Sequence, residues 1–269
     1  MAEDKICAVD ATWLLHRAHH SKSPHQVTMI VNWICGYVIS TRSTHLAVCF
    51  DTGKSFRYDL YKDYKANRHK LIVNEPTPVA HPHDYYEELV RTLENLRIPV
   101  VTRLRMEADD LLATIGKQAP RSVLVTKDKD QLQCISETCD VLQPGVMGNP
   151  DVLLTLKSFQ ADRGLTPAQF LDVQTLMGDK VDNIPQLITP AKARNIVLQH
   201  GSVKAWINSA DTPDKELLSR VLLNRKLVKM LTDCIPGFDM RDFVIPKGQS
   251  TKIVKYQEMV NSKKSLFGF

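Results

Sequence analysis

Short apolar runs that end next to an acidic residue recur along the first half of the chain. The three clearest are Ile6–Val9 before Asp10, Leu46–Phe50 before Asp51, and Ser122–Thr126 before Asp128 and Asp130. Continuous apolar runs of this length are typical of strands buried on both faces, as in a parallel sheet. The acids would then stand at the carboxyl ends of neighbouring strands.

Between these runs the apolar residues recur at helical spacing. The pattern predicts helices over Trp13–His20, Asp84–Leu96 and from about Ala108, and two weaker strands at Ile98–Val101 and Val141–Leu142. Strands that alternate with helices indicate an α/β fold, a parallel sheet flanked by helices.

The helix that starts near Ala108 opens with the acidic stretch Glu107-Ala108-Asp109-Asp110. An acidic first turn is common by itself, because the helix dipole favours anions there. In open parallel sheets, however, ligands bind beyond the carboxyl ends of the strands, where Asp10, Asp51 and Asp128 also converge. Hard cations such as Mg²⁺ take carboxylate oxygens, so the pattern predicts a carboxylate metal site.

The second half of the chain is predicted to be helical. Thr166-Pro167 and Thr189-Pro190 each combine an N-cap residue with proline at the first helical position, and Gly201 ends the second helix. The two helices, joined by a compact turn, predict a helix-hairpin-helix-like unit whose Lys192 and Arg194 bind duplex phosphates. A third helix is expected from Pro213 to about Met230.

Charge and cysteine content narrow the class of protein. The 269 residues carry 35 Lys+Arg and 30 Asp+Glu, a net charge of +5. Removing nine negative charges assigned to one acidic site from that +5 leaves +14, a basic body suited to a polyanionic partner. Six cysteines without a CxxC pair suit a reducing compartment such as the cytoplasm, and no apolar run is long enough to span a membrane.

The segment after Asp51 mixes basic and aromatic side chains. From Lys54 to Lys70 there are six Lys/Arg and two acids, with Phe56, Tyr58, Tyr61 and Tyr64 between them. Basic groups contact phosphates and aromatic faces stack on bases, so the mixture is typical of nucleic-acid binding; a solvated basic loop is the alternative. Residues 71–84 carry three prolines and little periodicity, as in a mobile segment.

Together these motifs resemble the 5′-nuclease family of phages and bacteria, the flap endonucleases and the 5′–3′ exonuclease domain of DNA polymerase I. The matching blocks are Ala8-Val9-Asp10, Phe50-Asp51, Tyr64-Lys65-Ala66-Asn67-Arg68, Glu107-Ala108-Asp109-Asp110, Thr126-Lys127-Asp128-Lys129-Asp130 and Met177-Gly178-Asp179-Lys180-Val181-Asp182-Asn183-Ile184-Pro185. The resemblance implies a PIN-like nuclease core over residues 1–160, with a basic helical arch at about 54–90. It also implies a helical DNA-binding region over 161–269, with a helix-three-turn-helix at about 166–201.

The resemblance also implies the site residues. The metal ligands would be Asp10, Asp51, Glu107, Asp109, Asp110, Asp128, Asp130, Asp179 and Asp182. The catalytic set would be Lys65, Arg68, Asp109 and Asp110, and the DNA contacts Arg57, Tyr64, Lys65, Arg68, Lys192 and Arg194. Two Mg²⁺ ions, replaceable by Mn²⁺, would support phosphodiester hydrolysis at 5′ flaps, nicks or RNA primers on DNA. The resemblance further implies a monomeric enzyme of replication and repair in the cytoplasm of a bacterial or phage-infected cell.

Two parts of the sequence leave alternatives open. Gln186-Leu187-Ile188-Thr189 replaces a glycine-rich hairpin of the family, so a potassium site at that hairpin remains an open question. The C-terminal Leu266, Phe267 and Phe269 either pack on the body or dock on a sliding clamp. The rival functions are a non-catalytic DNA-binding replication accessory protein and a PIN-type ribonuclease.

Overall fold

A six-stranded sheet forms the centre of the chain. The structure is a computed structural model that describes residues 4–21, 23, 25–67, 82–146, 148–209 and 214–245. The strands are β1 (Ile6–Asp10), β2 (His45–Cys49), β3 (Val100–Val101), β4 (Ser122–Val125), β5 (Cys139–Gln143) and β6 (Val152–Leu154). Their order is β3-β2-β1-β4-β5-β6; the first five are parallel, and β6 is antiparallel to β5.

Ten helices accompany these strands in the described part of the chain. The first five are α1 (Ala11–His20), α2 (Gln26–Thr41), α3 (Arg57–Leu60), α4 (Tyr86–Asn95) and α5 (Ala108–Gln118). The others are α6 (Leu156–Arg163), α7 (Pro167–Met177), α8 (Pro190–His200), α9 (Val203–Ile207) and α10 (Lys215–Val228). Single 3₁₀ turns cover Pro82–Tyr85, Lys129–Cys134 and Met240–Phe243.

The sheet is buried on both faces because its side chains alternate between two cores. Cys7 and Val9 of β1 pack with α1, α2 and α4 on one face. Ile6 and Ala8 of the same strand pack with Leu111 of α5 on the other. A strand buried on both faces reads as an unbroken apolar run, which is why the sequence pattern located it.

The α/β prediction is confirmed, and most strands and helices lie within a few residues of their predicted positions. The pattern missed the 16-residue helix α2 and the short helices α6 and α9. It also missed β6, where Val152 and Leu153 are exposed on an edge strand. All six cysteines are free. No helix in the described residues is long and apolar enough to cross a membrane.

The helices of the second half surround a core of their own. Leu176 of α7, Val197 of α8, Trp206 of α9 and Val221 of α10 are buried together. Thr166 caps α7 through a capping box, as its sequence indicated. The helix-three-turn-helix assignment of residues 166–201 stays a prediction, as do the domain limits. Arg68 and the tail residues Leu266, Phe267 and Phe269 lie outside the described residues.

Helix α7 ends at a glycine that no other residue can replace without strain. Gly178 has φ +65° and ψ −168°, and a Cβ there would lie 2.3 Å from the Pro185 carbonyl oxygen. This close approach lets the amides of Asp179 and Ile184 donate to each other's carbonyl oxygens, at 3.0 and 2.7 Å. The geometry holds the Asp179–Asp182 turn against the end of α7.

We expect Gly178→Ala to destabilise the protein by about 2–4 kcal/mol, because strain and a backbone clash add. The matched control is Gly201→Ala, where φ is also positive (+79°) but a Cβ meets nothing within 4 Å. That control should lose only about 1 kcal/mol. Urea unfolding measures both, and equal losses would contradict the close approach at Gly178.

Candidate active site

A cavity of about 670 Å³ opens at the carboxyl edge of the sheet. We name it the acidic pocket. Seven carboxylates line it, those of Asp10, Asp51, Asp109, Asp128, Asp130, Asp179 and Asp182. Three lysines, Lys65, Lys127 and Lys129, line it as well, together with Trp13 and His16 of α1. Seven of the nine predicted metal ligands are therefore brought together around one cavity.

Backbone amides fix the acids at the strand ends. The Asp10 carboxylate accepts from the amide of Trp13 at 2.9 Å and from the Thr126 hydroxyl at 2.9 Å, which joins the ends of β1 and β4. Asp51 accepts from the amide of Ala108 at 2.6 Å, so the end of β2 caps the start of α5. These contacts follow from parallel topology, which puts strand ends and helix N-termini at one edge.

The stretch from Glu107 to Asp110 divides between two sides of α5. Successive helical residues are rotated by about 100°, so Asp109 and Asp110 cannot face the same way. Asp109 lines the acidic pocket. Asp110 is fully buried and forms a capping box with Glu107. The carboxylates of Glu107 and Asp110 do not line the pocket.

Arg57 neutralises those two carboxylates from inside the protein. Its Nη1 donates to Asp110 at 2.7 Å and to Glu107 at 3.0 Å, and its Nη2 donates to Asp110 at 2.8 Å. Nε donates to the Leu227 carbonyl at 2.9 Å and Nη2 to that of Lys229 at 3.2 Å. These bonds use all five N–H groups of the guanidinium. Burial acts to lower the pKa of Arg57, but Asp110 and Glu107 outweigh it and raise the pKa.

The position of Arg57 corrects the sequence interpretation of this residue as a DNA contact. Its exposed fraction is 2%, and its charge is used within the protein. Tyr64 was interpreted in the same way and is also buried: its hydroxyl lies 3.1 Å from Glu107 and 3.3 Å from Asp182. The sequence shows that this segment is basic and aromatic. It does not show which of the side chains are buried in the protein and which face solvent.

Among the described residues of this segment, Lys65 is the basic residue that lines the pocket. Its exposed fraction is 8%, its ammonium forms an ion pair with Glu107, and it lies 4.0 Å from Asp182. Glu107 thus holds Arg57 on one side and Lys65 on the other. The arrangement places a positive charge among the side chains that line the acidic pocket, and the catalytic role of Lys65 stays a prediction.

A second lysine that lines the pocket, Lys129, pairs with Asp179 at 2.8 Å. The other oxygen of Asp179 accepts from the amides of Val181 at 2.7 Å and Asp182 at 3.2 Å. Burial acts to raise the pKa of Asp179, but Lys129 and these amides lower it overall. Asp179 therefore shapes the turn and holds a lysine.

Four other acids of the pocket, Asp10, Asp109, Asp128 and Asp130, have raised pKa values because burial and mutual repulsion both disfavour their charged forms. Burial, and then the nearby Asp51, raises the pKa of Asp10 to about 7. Burial and Asp128 raise that of Asp130 to about 7 and that of Asp109 well above its ordinary value. Burial also raises the pKa of Asp128. A bound cation would relieve this repulsion.

The donor set fits a hydrated hard cation. All seven acids offer oxygen, the donor atom that hard divalent ions take. Among the described residues, no three carboxylate, imidazole or thiol groups lie close enough to form a ready-made metal cage. Mg²⁺ keeps several water molecules and uses one or two carboxylates, so an open acidic cavity suits it better than a cage would.

The predicted duplex contacts, Lys192 and Arg194, lie on α8 and do not line the pocket. Lys192 is exposed and Arg194 is half-buried. The glycine-free stretch before this helix packs on α7, because the amides of Leu187 and Ile188 both donate to the Leu176 carbonyl, at 3.2 and 3.0 Å.

Comparisons with known proteins agree with this geometry. The family described as 5′-3′ exonuclease, N-terminal resolvase-like domain, matches residues 5–164. The chain belongs to the 5′-3′ exonuclease family. The resemblance drawn from the sequence motifs is thereby confirmed. DNA polymerase I of Streptococcus pneumoniae is 31% identical over 211 residues, which are 74% of this chain and 23% of that polymerase. The chain spans about a quarter of the length of the curated relatives it matches.

Solved structures share the fold. The bacteriophage T5 flap endonuclease, in a pseudo-enzyme–product complex with DNA and metal ions, has a TM-score of 0.72 at 22% identity, covering 94% of this chain and 99% of that one. The catalytic core of Rad2 in complex with DNA substrate has a TM-score of 0.55 at 18% identity, covering 99% and 89%. The six-stranded sheet with its flanking helices therefore has the PIN-like fold of these nucleases.

We expect Arg57→Met to lower the free energy of unfolding by about 3–5 kcal/mol, because it leaves two buried carboxylates without their cation. The matched control is Arg105→Met, which breaks an exposed ion pair with Asp59 and should change stability by less than about 1 kcal/mol. Urea unfolding compares the two. A loss at Arg57 no larger than at Arg105 would show that the buried network contributes little.

We expect the protein in EDTA to lose stability as pH rises from about 4 to 7. The folded-state pKa values of Asp10 and Asp130 lie near 7, above the usual 3.8, so the folded protein binds more protons over this range. The melting temperature should fall by roughly 5–10 °C between pH 5 and pH 7.5. Mn²⁺ should restore it at pH 7.5 and have little effect at pH 5. A melting temperature in EDTA that rises with pH would refute the pKa assignment.

Proposed function

We propose that the chain is a structure-specific 5′ nuclease, a 5′–3′ exonuclease and flap endonuclease that acts at 5′ flaps, nicks or RNA primers in replication and repair. The observation that carries the proposal is the acidic pocket, where seven carboxylates and the ammonium of Lys65 share one cavity in a member of the 5′-3′ exonuclease family. The likeness to flap endonuclease and Rad2 folds supports it.

The proposed cofactor is Mg²⁺, as two ions, with Mn²⁺ as a substitute. Asp10, Asp51 and Asp109 would hold one ion, and Asp128, Asp130 and Asp182 the other, in part through water. Divalent ions bound there would lower the pKa of an attacking water molecule and stabilise charge on the phosphate. The T5 flap endonuclease, crystallised with metal ions and DNA, supports the metal requirement.

The chain's own residues would position the substrate. Lys65, held by Glu107, would donate to a phosphate oxygen at the cavity edge and offset its developing charge. Arg68 follows three residues later and is proposed to act beside it. Lys192 and Arg194 at the first turn of α8 would contact duplex phosphates, where the helix N-terminus favours anions. These contacts depend on charge, so binding should weaken with salt.

Further parts of the proposal rest on the sequence alone. The tail residues Leu266, Phe267 and Phe269 are proposed to dock on a sliding clamp, with the enzyme working as a monomer in the cytoplasm. A potassium ion beside the Gln186–Thr189 stretch stays an open question.

We expect cleavage of a 5′-flap duplex, labelled at either end, with Mg²⁺ and not with EDTA. Asp109→Asn/Asp128→Asn should reduce the rate by at least about 100-fold, because both acids line the pocket. Asp110 is unsuited to this test, because its ion pair with Arg57 supports the fold. The control Asp233→Asn removes an exposed acid and should cleave like the wild type.

Two outcomes would favour the rival functions. Flap DNA that is bound but left uncut by the wild-type protein would support a non-catalytic accessory protein. Cleavage of structured RNA in preference to flap DNA would support a PIN-type ribonuclease.

A further inference from the structure

Two buried glutamines adjoin the acidic pocket, and each keeps one side-chain atom unpaired. In the described part of the chain, three buried side-chain oxygens have no hydrogen-bond partner, those of Asn32, Gln131 and Gln174. The last two belong to side chains that bind carboxylates of the pocket. Buried polar atoms are normally paired, so each exception requires a physical reason.

The side-chain amide of Gln131 binds Asp109. It is fully buried, and its Nε2 donates to the Asp109 main-chain oxygen at 2.9 Å and to Asp109 Oδ1 at 3.1 Å. One amide group thus binds both the backbone and the carboxylate of a residue that lines the pocket. The contact fixes the Asp109 side chain relative to the first turn of α5.

Gln174, on helix α7, binds the carboxylate of Asp130. It lies on α7 with an exposed fraction of 4%, and its Nε2 donates to Asp130 Oδ1. The pairing joins the wall of the pocket to the helix that ends at Gly178. Two acids of the pocket are therefore each anchored at one oxygen by a buried amide.

The unpaired oxygens follow from the direction of these amides. Turning either amide over would put its carbonyl oxygen against a carboxylate oxygen, where two acceptors repel. The N–H groups must therefore face the acids, and each carbonyl oxygen remains buried without a donor, which destabilises the folded state. An apolar side chain such as methionine would avoid that penalty, but it would leave the carboxylate without its anchor.

We propose that Gln131 and Gln174 are positioning residues for divalent metal binding, resting on the proposed metal-dependent nuclease function. Each amide restricts one carboxylate oxygen, so that the carboxylate meets the ion without first losing rotational freedom. Partners that hold a metal ligand in this way typically change metal affinity by 10–100-fold when they are removed. Neither glutamine lines the pocket, so neither touches the ion or the substrate.

The test is Mn²⁺ binding to the full chain, measured by calorimetry at pH 7.5 in Gln131→Met, Gln174→Met and the double variant. We expect the dissociation constant to rise about 10-fold in each single variant and further in the double. The melting temperature in EDTA should stay within a few degrees of the wild type, because each variant loses an unpaired oxygen along with its hydrogen bond.

Gln133→Met is the matched control from the same 3₁₀ turn. Gln133 bonds only to main-chain groups: its amide donates to the Asp130 and Val228 carbonyls, and its oxygen accepts from the Met230 amide. This variant should lower the melting temperature and leave the Mn²⁺ dissociation constant unchanged. Gln131→Met and Gln174→Met should show the reverse, weaker Mn²⁺ binding with little change in melting temperature. The comparison separates positioning of the metal ligands from general stability.

Unchanged Mn²⁺ affinity in both Gln131→Met and Gln174→Met would overturn the inference, while flap cleavage by the wild-type protein would leave the proposed function intact. A wild-type protein that binds no Mn²⁺ would overturn both. If Gln131→Met fails to fold, Gln174→Met decides alone, since it replaces a side chain on a separate helix.

Discussion

The burial of Arg57 between Glu107 and Asp110 is the interaction on which the arrangement of the acidic pocket depends. An acidic site of nine carboxylates repels itself, and burial makes that repulsion stronger. The guanidinium neutralises two of the nine, and three of its five hydrogen bonds reach their carboxylates. Two of those bonds reach carbonyls at the end of α10 and just after it, so the same residue ties the C-terminal helices to the start of α5.

Among the remaining seven carboxylates, the pKa is lowered at Asp179 and raised at four others. Lys129 pairs with Asp179 and lowers its pKa, so this acid stays charged and shapes a turn. At Asp10, Asp109, Asp128 and Asp130, burial outweighs the nearby lysines and hydrogen-bond donors, so the pKa values of these acids are raised. The free protein therefore concentrates mutually repelling carboxylates in one place, and a divalent cation bound among them would relieve that repulsion.

Sequence patterns located the strands and the acids because both depend on local rules. An unbroken apolar run identifies a strand buried on two faces, and parallel topology brings the ends of β1, β2 and β4 together. The patterns could not assign the inward-facing members of a charged segment. Arg57 and Tyr64 are polar residues in a basic stretch, and only their tertiary partners Glu107, Asp110 and Leu227 show that they are buried. The edge strand β6 was missed because it is only three residues long, too short to show a period.

The buried glutamines show how a site can be organised by residues that carry no charge. A lysine or arginine paired directly with Asp109 or Asp130, in the way that Lys129 pairs with Asp179, would neutralise the carboxylate and compete with a metal ion for it. An amide donates a hydrogen bond without supplying a full positive charge, so it orients the carboxylate and leaves the electrostatic demand for a cation in place. The unpaired oxygens of Gln131 and Gln174 follow from this arrangement, because the N–H end of each amide donates to a carboxylate while its carbonyl end meets no donor.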